Sequence, residues 1–472
     1  MKKILSYLLY LAFFLIFSCQ PEKEKMNIIV FFIDDLGWTD LGCYGSDLYE
    51  TPNIDKLAKE GKRFSQAYAA CTVCSPSRAA LMTGKYPARL HLTDWIKGHK
   101  RQHALLKVPD WQMYLDTTET TMANVLKDKG YATAIFGKWH LGDDPSYWPD
   151  HQGFDLNVGG YKWGQPGSYF FPYIREKSGM VAPPGLKEGK PGEYLTYRLT
   201  DEAIHFIKGH KEQPFFIYFP HYAVHTPLQA PDSLTEYYES KIKPDMRHRK
   251  AVYAAMIHAV DQSVGKVMST LKEEGLEGKT AVFFTSDNGG LVLWSITDNY
   301  PLRAGKGSVY EGGVRVPFIA KVPGMTEANS ICHEPIITMD LFPTVLSIAG
   351  AHIPINDGKD LSNILAGNDA DLNRNSIFWH YPHYHPGGAT PYSAIRKGNF
   401  RLIEFFEDSH LELYDLGNDI GETNDLSEQQ PEKVGELYND LKTWQKEVNA
   451  QLPTKNPESQ ESGVATIGSS IE

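Results

Sequence analysis

The 472 residues include only five cysteines, at positions 19, 43, 71, 74 and 332. They are too few and too scattered to frame a small disulfide-bonded domain, and Cys71-x-x-Cys74 lacks the second pair that a zinc site of that type needs. No dense basic tract is present, and the formal net charge is -11 at pH 7, which argues against general nucleic-acid binding. An anionic substrate would have to be drawn in by a local cluster of Arg, Lys and His. The one long apolar run, residues 4–17, is short for a transmembrane helix. There is no internal repeat. Gly305-Lys306-Gly307 lacks the spacing of a phosphate loop, so a nucleotide-binding fold is not supported.

What is present is 42% apolar residues, ample for a core, and a length that suits one large domain with a smaller one. Lys2 and Lys3 precede the apolar run, which gives it the shape of a secretory signal. Ile16-Phe17-Ser18-Cys19 resembles a bacterial lipoprotein cleavage box. That implies a signal over residues 1–18, a lipid on Cys19 and a polar tether over 19–26, with secretion and an unmodified Cys19 as the alternative. Gln20 is not the aspartate associated with inner-membrane retention. The expected location is therefore the outer membrane or surface of a Gram-negative cell, otherwise the periplasm.

Apolar runs at 27–33, 131–136, 214–219, 280–285 and 314–320 read as buried strands. Helical periodicity at 120–129, 199–208, 247–271 and 339–348 alternates with them. The pattern predicts an α/β catalytic domain over 27–360, with a large, mostly parallel sheet and helices on both faces. Short runs at 376–379, 392–396, 400–405 and 411–415, then a helical stretch at 432–447, predict a small C-terminal α+β domain with an antiparallel sheet over 361–453. Residues 454–472 are polar and read as a flexible tail. Residues 87–113 read as a surface insertion. Residues 143–194, rich in Gly, Pro and aromatics, read as a functional loop.

Two of the buried runs end in polar pairs, Asp34-Asp35 and Asp287-Asn288. The carboxyl ends of strands are where open α/β sheets carry their sites. Three carboxylates and a carboxamide are hard oxygen ligands suited to calcium or magnesium. The bland reading of a single Asp-Asp is a helix cap or turn. The other feature is Cys74-Ser75-Pro76-Ser77-Arg78. Pro76 at a helix start would set Cys74 just ahead of free amide donors, and Arg78, one turn on, would face the same anion. Taken alone, a free cysteine there is more often a small buried hydrophobe, and a redox Cys71-x-x-Cys74 pair also competes.

The Cys-x-Pro-Ser-Arg segment with Thr83-Gly84, and Gly130-Tyr131-Ala132-Thr133 leading to Gly137-Lys138-Trp139-His140, resemble the two signatures of the formylglycine-dependent sulfatases of the alkaline phosphatase superfamily. The resemblance runs from Asn27 to about Leu426. It implies that Cys74 is oxidised to an aldehyde by a maturase, and that the hydrate attacks sulfur to give a covalent sulfate ester. It further implies that Asp34, Asp35, Asp287 and Asn288 hold calcium, with magnesium the alternative, and that Arg78, Lys138, His140, His225 and Lys306 complete the site. In that scheme Asp35 is a candidate to take the first proton, His225 with Lys306 supplies a proton to the leaving oxygen, and His140 takes the proton of the second hydroxyl.

The implied substrate is a sulfated glycan or sulfated monosaccharide, with exo action on galactose or N-acetylgalactosamine sulfate the first choice. Trp95, His99, Trp163, Arg303, His380, His383, His385 and Arg396 are the candidate specificity residues. Two rivals stay open: a phosphomonoester or phosphonate-ester hydrolase of the same superfamily, and a non-catalytic glycan-binding lipoprotein with unmatured Cys74. The sequence does not indicate an oligomeric state.

Overall fold

A computed structural model describes residues 25–99, 101–367 and 372–459. The expected signal, Cys19 and all but the last two tether residues lie outside the described residues. Those two are attached to the body: Lys25 Nζ donates to the Lys129 carbonyl at 3.1 Å, and Tyr131 Oη donates to the Met26 carbonyl at 3.0 Å.

The strands, in chain order, begin with β1 (Asn27–Ile33), β2 (Lys62–Tyr68), β3 (Leu106–Lys107), β4 (Ala132–Phe136) and β5 (Leu156–Val158). They continue with β6 (Phe215–His221), β7 (Thr280–Ser286), β8 (Arg315–Lys321), β9 (Ser330–Cys332) and β10 (Ile336–Ile337). All but β3 form one sheet in the order β10-β2-β8-β7-β1-β6-β4-β5, with β9 also beside β2. β1 lies parallel to both β6 and β7, while β8 runs antiparallel to β7 and β2. The mostly parallel sheet expected from the sequence is present, with β8 inverted inside it.

β1 shows why helices must cover both faces. Ile29, Phe31 and Ile33 pack with residues of the helices Pro52–Glu60, Leu195–Gly209 and Ala251–Glu273. The alternate residues Ile28, Val30 and Phe32 pack with the helices Cys74–Thr83, Met122–Asp128 and Leu341–Ile348. A strand apolar without interruption from residue 28 to residue 33 is stable only when buried on both sides, so the composition of β1 dictates three layers. No described helix is long and apolar enough to cross a membrane.

The second sheet is antiparallel, in the order β11 (Ile377–Tyr381), β12 (Tyr392–Lys397), β13 (Phe400–Phe405) and β14 (Leu411–Asp415), and the helix Pro431–Glu447 packs with it. It shares a core with Tyr68, Ala70 and Val73, the residues leading into Cys74. Trp379 Nε1 donates to the Ala69 carbonyl at 2.9 Å. The expected flexible tail differs at its start, where β15 (Thr454–Lys455) pairs with β3 and Asn456 Nδ2 donates to the carbonyls of Gln102 and Ala104. Backbone and carboxamide pairing hold a segment whose polar composition gave no sign of docking.

A buried ionic knot joins the two sheets. Arg401 lies 2.8 Å from Glu311 and 3.4 Å from Glu422, all three side chains are fully buried, and Arg315 supports Glu311 at 3.2 Å. Burial pushes the Glu422 carboxyl up from 4.5 to about 8, against the pull of Arg401 and with the help of Glu311. A raised carboxyl pKa stabilises the fold fully below the unfolded value, and the contribution is lost as pH rises through the folded one. Thermal midpoints should therefore decline between pH 4.5 and about 8, and Glu422→Gln should flatten that decline; an unchanged slope would refute it. Arg401→Ala leaves buried acids without their partner and should cost about 3 kcal/mol in denaturant unfolding.

Candidate active site

The sheet brings the strand ends together. β1 and β7 pair in register up to Ile33 and Ser286, so Asp34-Asp35 and Asp287-Asn288 emerge side by side. The Asp35 amide donates to Asp287 Oδ1 at 3.1 Å, and Asn288 Nδ2 donates to Asp35 Oδ1 at 2.9 Å. All four side chains are buried. Asp35 has φ of 62°, left-handed for a residue with a Cβ, a conformation that costs energy and persists where surrounding bonds impose it.

Three cations answer the three acids. Lys138 Nζ bonds both oxygens of Asp34 at 2.9 and 2.7 Å, and Lys306 Nζ lies 2.7 Å from Asp35 Oδ1. Arg78 donates from Nε and Nη2 to Asp287 at 3.0 and 2.7 Å and lies 3.4 Å from Asp34. The guanidinium thus faces carboxylates, where the sequence predicted an oxyanion beside Cys74. Burial alone would raise all the acids, and for Asp34 it dominates, leaving that carboxyl well above its usual range. At Asp35 burial is overcome by Lys306, His225 and Lys138, so its carboxyl sits well below that range. A carboxylate held so low stays ionised, as a ligand for a cation must be.

The donor set suits a hard cation. Asn288 Oδ1 is buried and has no hydrogen-bond partner, and an orphaned carboxamide oxygen beside two carboxylates lacks only a positive charge. Asp34, Asp35 and His225 also present ligand atoms within 4.8 Å of one another. Oxygen-rich ligation favours calcium or magnesium over the metals that prefer imidazole.

Cys74 is the first residue of the helix Cys74–Thr83, with Val73 as the cap, so the helix starts two residues before Pro76. Cys74 is 4% exposed. Its Sγ lies 3.4 Å from His140 Nδ1, and His140 Nε2 lies 2.5 Å from the Ile96 carbonyl. Ser75 Oγ donates to the His140 carbonyl at 2.9 Å and accepts from the Ile96 amide at 3.2 Å, tying the helix start to both. Gly137 and Gly164 make this packing possible. A Cβ on Gly137, at φ of 127°, would meet the Pro220 carbonyl oxygen at 2.0 Å, and one on Gly164 would meet the His140 ring at 2.4 Å. Cys71 and Cys74 are free thiols. Burial pushes the Cys71 thiol far up, so a redox pair lacks its thiolate.

Cys74, His140, His225 and Lys306 open onto one cavity of about 500 Å³. Of the eight candidate specificity residues, Trp95, His99, Trp163 and His385 line it. The other four are engaged elsewhere. Arg303 stacks on Tyr310 at 3.5 Å and donates to Tyr414 and the Glu422 carbonyl. His380 lies between Ser393 Oγ and the Gln451 carbonyl, His383 bonds Thr93 and packs on Trp111, and Arg396 bonds Tyr68 and Gln66. These four hold elements together, which a count of rings and charges in a turn does not reveal.

Sequence reasoning missed Lys97 and Lys162 at the cavity wall, and the apolar lip of Leu291, Leu293 and Trp294. Trp294 is 63% exposed. A bulky apolar stretch just after the strand-end Asp287-Asn288 was the available signal. Residues 95–97 belong to the expected surface insertion, yet they form the cavity wall against His140, because Leu92, Thr93 and Asp94 are buried and anchor the segment.

The sequence model of the family described as Sulfatase matches residues 26–351. The chain belongs to the sulfatase family. A second model, described as N-sulphoglucosamine sulphohydrolase, C-terminal, matches residues 305–451. A sulfatase of Formosa agariphila is 34% identical, with 92% of each chain covered. The N-acetylgalactosamine-6-sulfatase of Sus scrofa is 36% identical over 72% of this chain and 65% of its own length. A crystal structure of Ps i-CgsB in complex with k-i-k-neocarrahexaose is 32% identical, with a TM-score of 0.75 over 93% of this chain and 96% of that one. This sulfatase is thus a sulfuric ester hydrolase, and its strand-end acids stand where sequence and physical chemistry expect a cation. Calcium added to chelator-treated protein should raise the thermal midpoint by several degrees, and Asn288→Leu should abolish the rise. A wild-type midpoint indifferent to calcium would exclude the cation site.

Proposed function

We propose that this sulfatase removes sulfate from a sulfated glycan or monosaccharide, acting from the chain end on galactose or N-acetylgalactosamine sulfate, with Cys74 matured to formylglycine. The observation that carries the chemistry is the tautomer of His140. Its Nε2 faces a carbonyl oxygen and must carry the proton, so the Nδ1 lone pair is directed at position 74. A hydroxyl at that position has a base within reach. The sugar reading is supported by the tryptophans along the cavity and by the names of the N-acetylgalactosamine-6-sulfatase relative and the neocarrahexaose complex.

Hydrated formylglycine supplies two hydroxyls: one attacks sulfur as its proton passes to the Asp35 carboxylate, and deprotonation of the other expels sulfate and restores the aldehyde. His140 Nδ1 accepts the second proton. His225 Nδ1 donates to the Thr226 carbonyl at 2.9 Å, which leaves Nε2 to deliver a proton to the leaving sugar oxygen beside Lys306. Burial, with Lys306 adding, pushes His225 down to about 3, and the negative charge of an arriving sulfate favours its protonated form. Calcium, or magnesium, would be held by Asp34, Asp35, Asp287 and Asn288, and as a Lewis acid it would stabilise charge developing on the sulfate. Acids given over to a cation no longer neutralise Arg78, Lys138 and Lys306, whose charge then serves the anion. The same reading includes export, a lipid on Cys19 at the outer membrane or cell surface, and a maturase acting on Cys74.

Mass analysis of the peptide containing position 74 should find formylglycine in protein coexpressed with a maturase. Cys74→Ala should keep the thermal midpoint and lose about 10³-fold or more in turnover; turnover persisting in that variant would end the nucleophile assignment. Among monosulfated methyl hexosides, galactosides should be cleaved fastest, and activity confined to glucosamine sulfates would reject the sugar assignment.

A further inference from the structure

The cavity contains two histidines that the proposed chemistry does not use. His99 and His385 come from two separate parts of the chain, one from the segment after Trp95 and the other from the loop between β11 and β12, and their rings meet edge to face with centroids 5.7 Å apart. Most imidazole hydrogen bonds leave the proton's position open, because the partner can either donate or accept. These two do not. Trp95 Nε1 carries a proton and can only donate, and it does so to His99 Nδ1 at 3.2 Å. The Gly387 amide can only donate, and it does so to His385 Nδ1 at 2.9 Å. In both neutral rings the proton must therefore sit on Nε2. Among the described residues neither Nε2 has a hydrogen-bond partner.

We propose that His99 and His385 form a paired N–H donor site that reads two hydroxyl oxygens of the sugar bearing the sulfate. The inference rests on the sulfated-sugar reading above and deepens it. The location is right for a leaving group. His385 is seated directly on Gly307, where a Cβ would meet its Nδ1 at 1.7 Å, and so it adjoins Lys306, beyond the sulfate-facing cations. The chemistry points to hydroxyls and away from a second anionic group. Burial, with Lys306 and His99 adding, pushes His385 down to about 3, and burial with Arg101 lowers His99, so both rings are uncharged donors near neutrality. A second anionic group would be met by Lys97 and Lys162, whose full charges the cavity also presents, which leaves the uncharged pair for neutral oxygens. A fixed N–H aimed at a sugar oxygen discriminates strongly, because a sugar lacking that oxygen leaves the donor buried and unpaired.

The test uses matured, full-length enzyme and the fastest-cleaved monosulfated methyl hexoside, together with its monodeoxy analogues. Phenylalanine keeps a ring at either position without the donor, while glutamine places an N–H near the Nε2 position. His385→Phe should lower kcat/KM on the parent sugar about tenfold, and His385→Gln should restore most of it. One monodeoxy analogue should be cleaved about tenfold more slowly by wild type, with no further loss in His385→Phe. His99→Phe and His99→Gln should repeat the pattern with a different hydroxyl. Equal losses on the parent and on every deoxy analogue would overturn the proposal, as would a loss seen only with a disulfated sugar. Hydrolysis of 4-nitrophenyl sulfate, which has no sugar hydroxyls, separates this failure from failure of the sulfatase mechanism. Should wild type release sulfate from no ester at all, binding of the monosulfated sugars to Cys74→Ala protein by calorimetry decides: weaker binding in the phenylalanine variants upholds the donor pair, and unchanged binding overturns it.

Discussion

Three carboxylates buried side by side at two adjacent strand ends are the constraint that the rest of this molecule satisfies. Placed there without partners, Asp34, Asp35 and Asp287 would repel one another and take up protons. Each has a cation assigned to it, and the cations come from three separate parts of the chain. Arg78 comes from the helix behind Cys74, Lys138 from the turn after β4, and Lys306 from the loop before β8. Burial makes the pairing obligatory, and the pairing fixes where three chain segments must cross.

That requirement explains features that look incidental in isolation. The inverted β8 lies between β2 and β7, which returns the chain beside the strand that delivers Asp287 after the excursion that carries Lys306. The left-handed backbone at Asp35 and at His140, with φ of 62° and 61°, lets successive side chains turn into the same space. Strain of this kind is held by the bonds around it: the Asp34 amide and carbonyl both pair with the segment at Ala223 and Val224.

Much of this was legible in the sequence because burial and chemistry left marks there. Runs such as Ile28–Ile33 are apolar at every position, which only a doubly covered strand tolerates, and the acids at their ends stand out against them. The small sheet was equally legible from its short runs and turns. The specificity residues were less so. Tyr381-Pro382-His383-Tyr384-His385 puts His385 in the cavity and His383 against Trp111 and Thr93, and nothing in the composition separates the two. Which neighbouring imidazole faces the cavity depends on how the small sheet seats on the large one. The wall at Ile96 and Lys97 was obscured for the same reason, since its anchors are single buried residues in a segment without period.

The loop carrying His385 is gripped by the large domain: the Ala389 amide donates to the Gly307 carbonyl at 2.9 Å, and the Gly307 amide donates to the Thr72 carbonyl at 3.0 Å. A relay of main-chain hydrogen bonds thus connects the loop of the proposed sugar donor, the lysine at position 306 and the turn that leads to Cys74. Drift toward a new substrate through this loop would jostle the lysine as well, so recognition and chemistry would have to diversify in step, and the freer ground for inventing new preferences lies across the cleft, around Trp294.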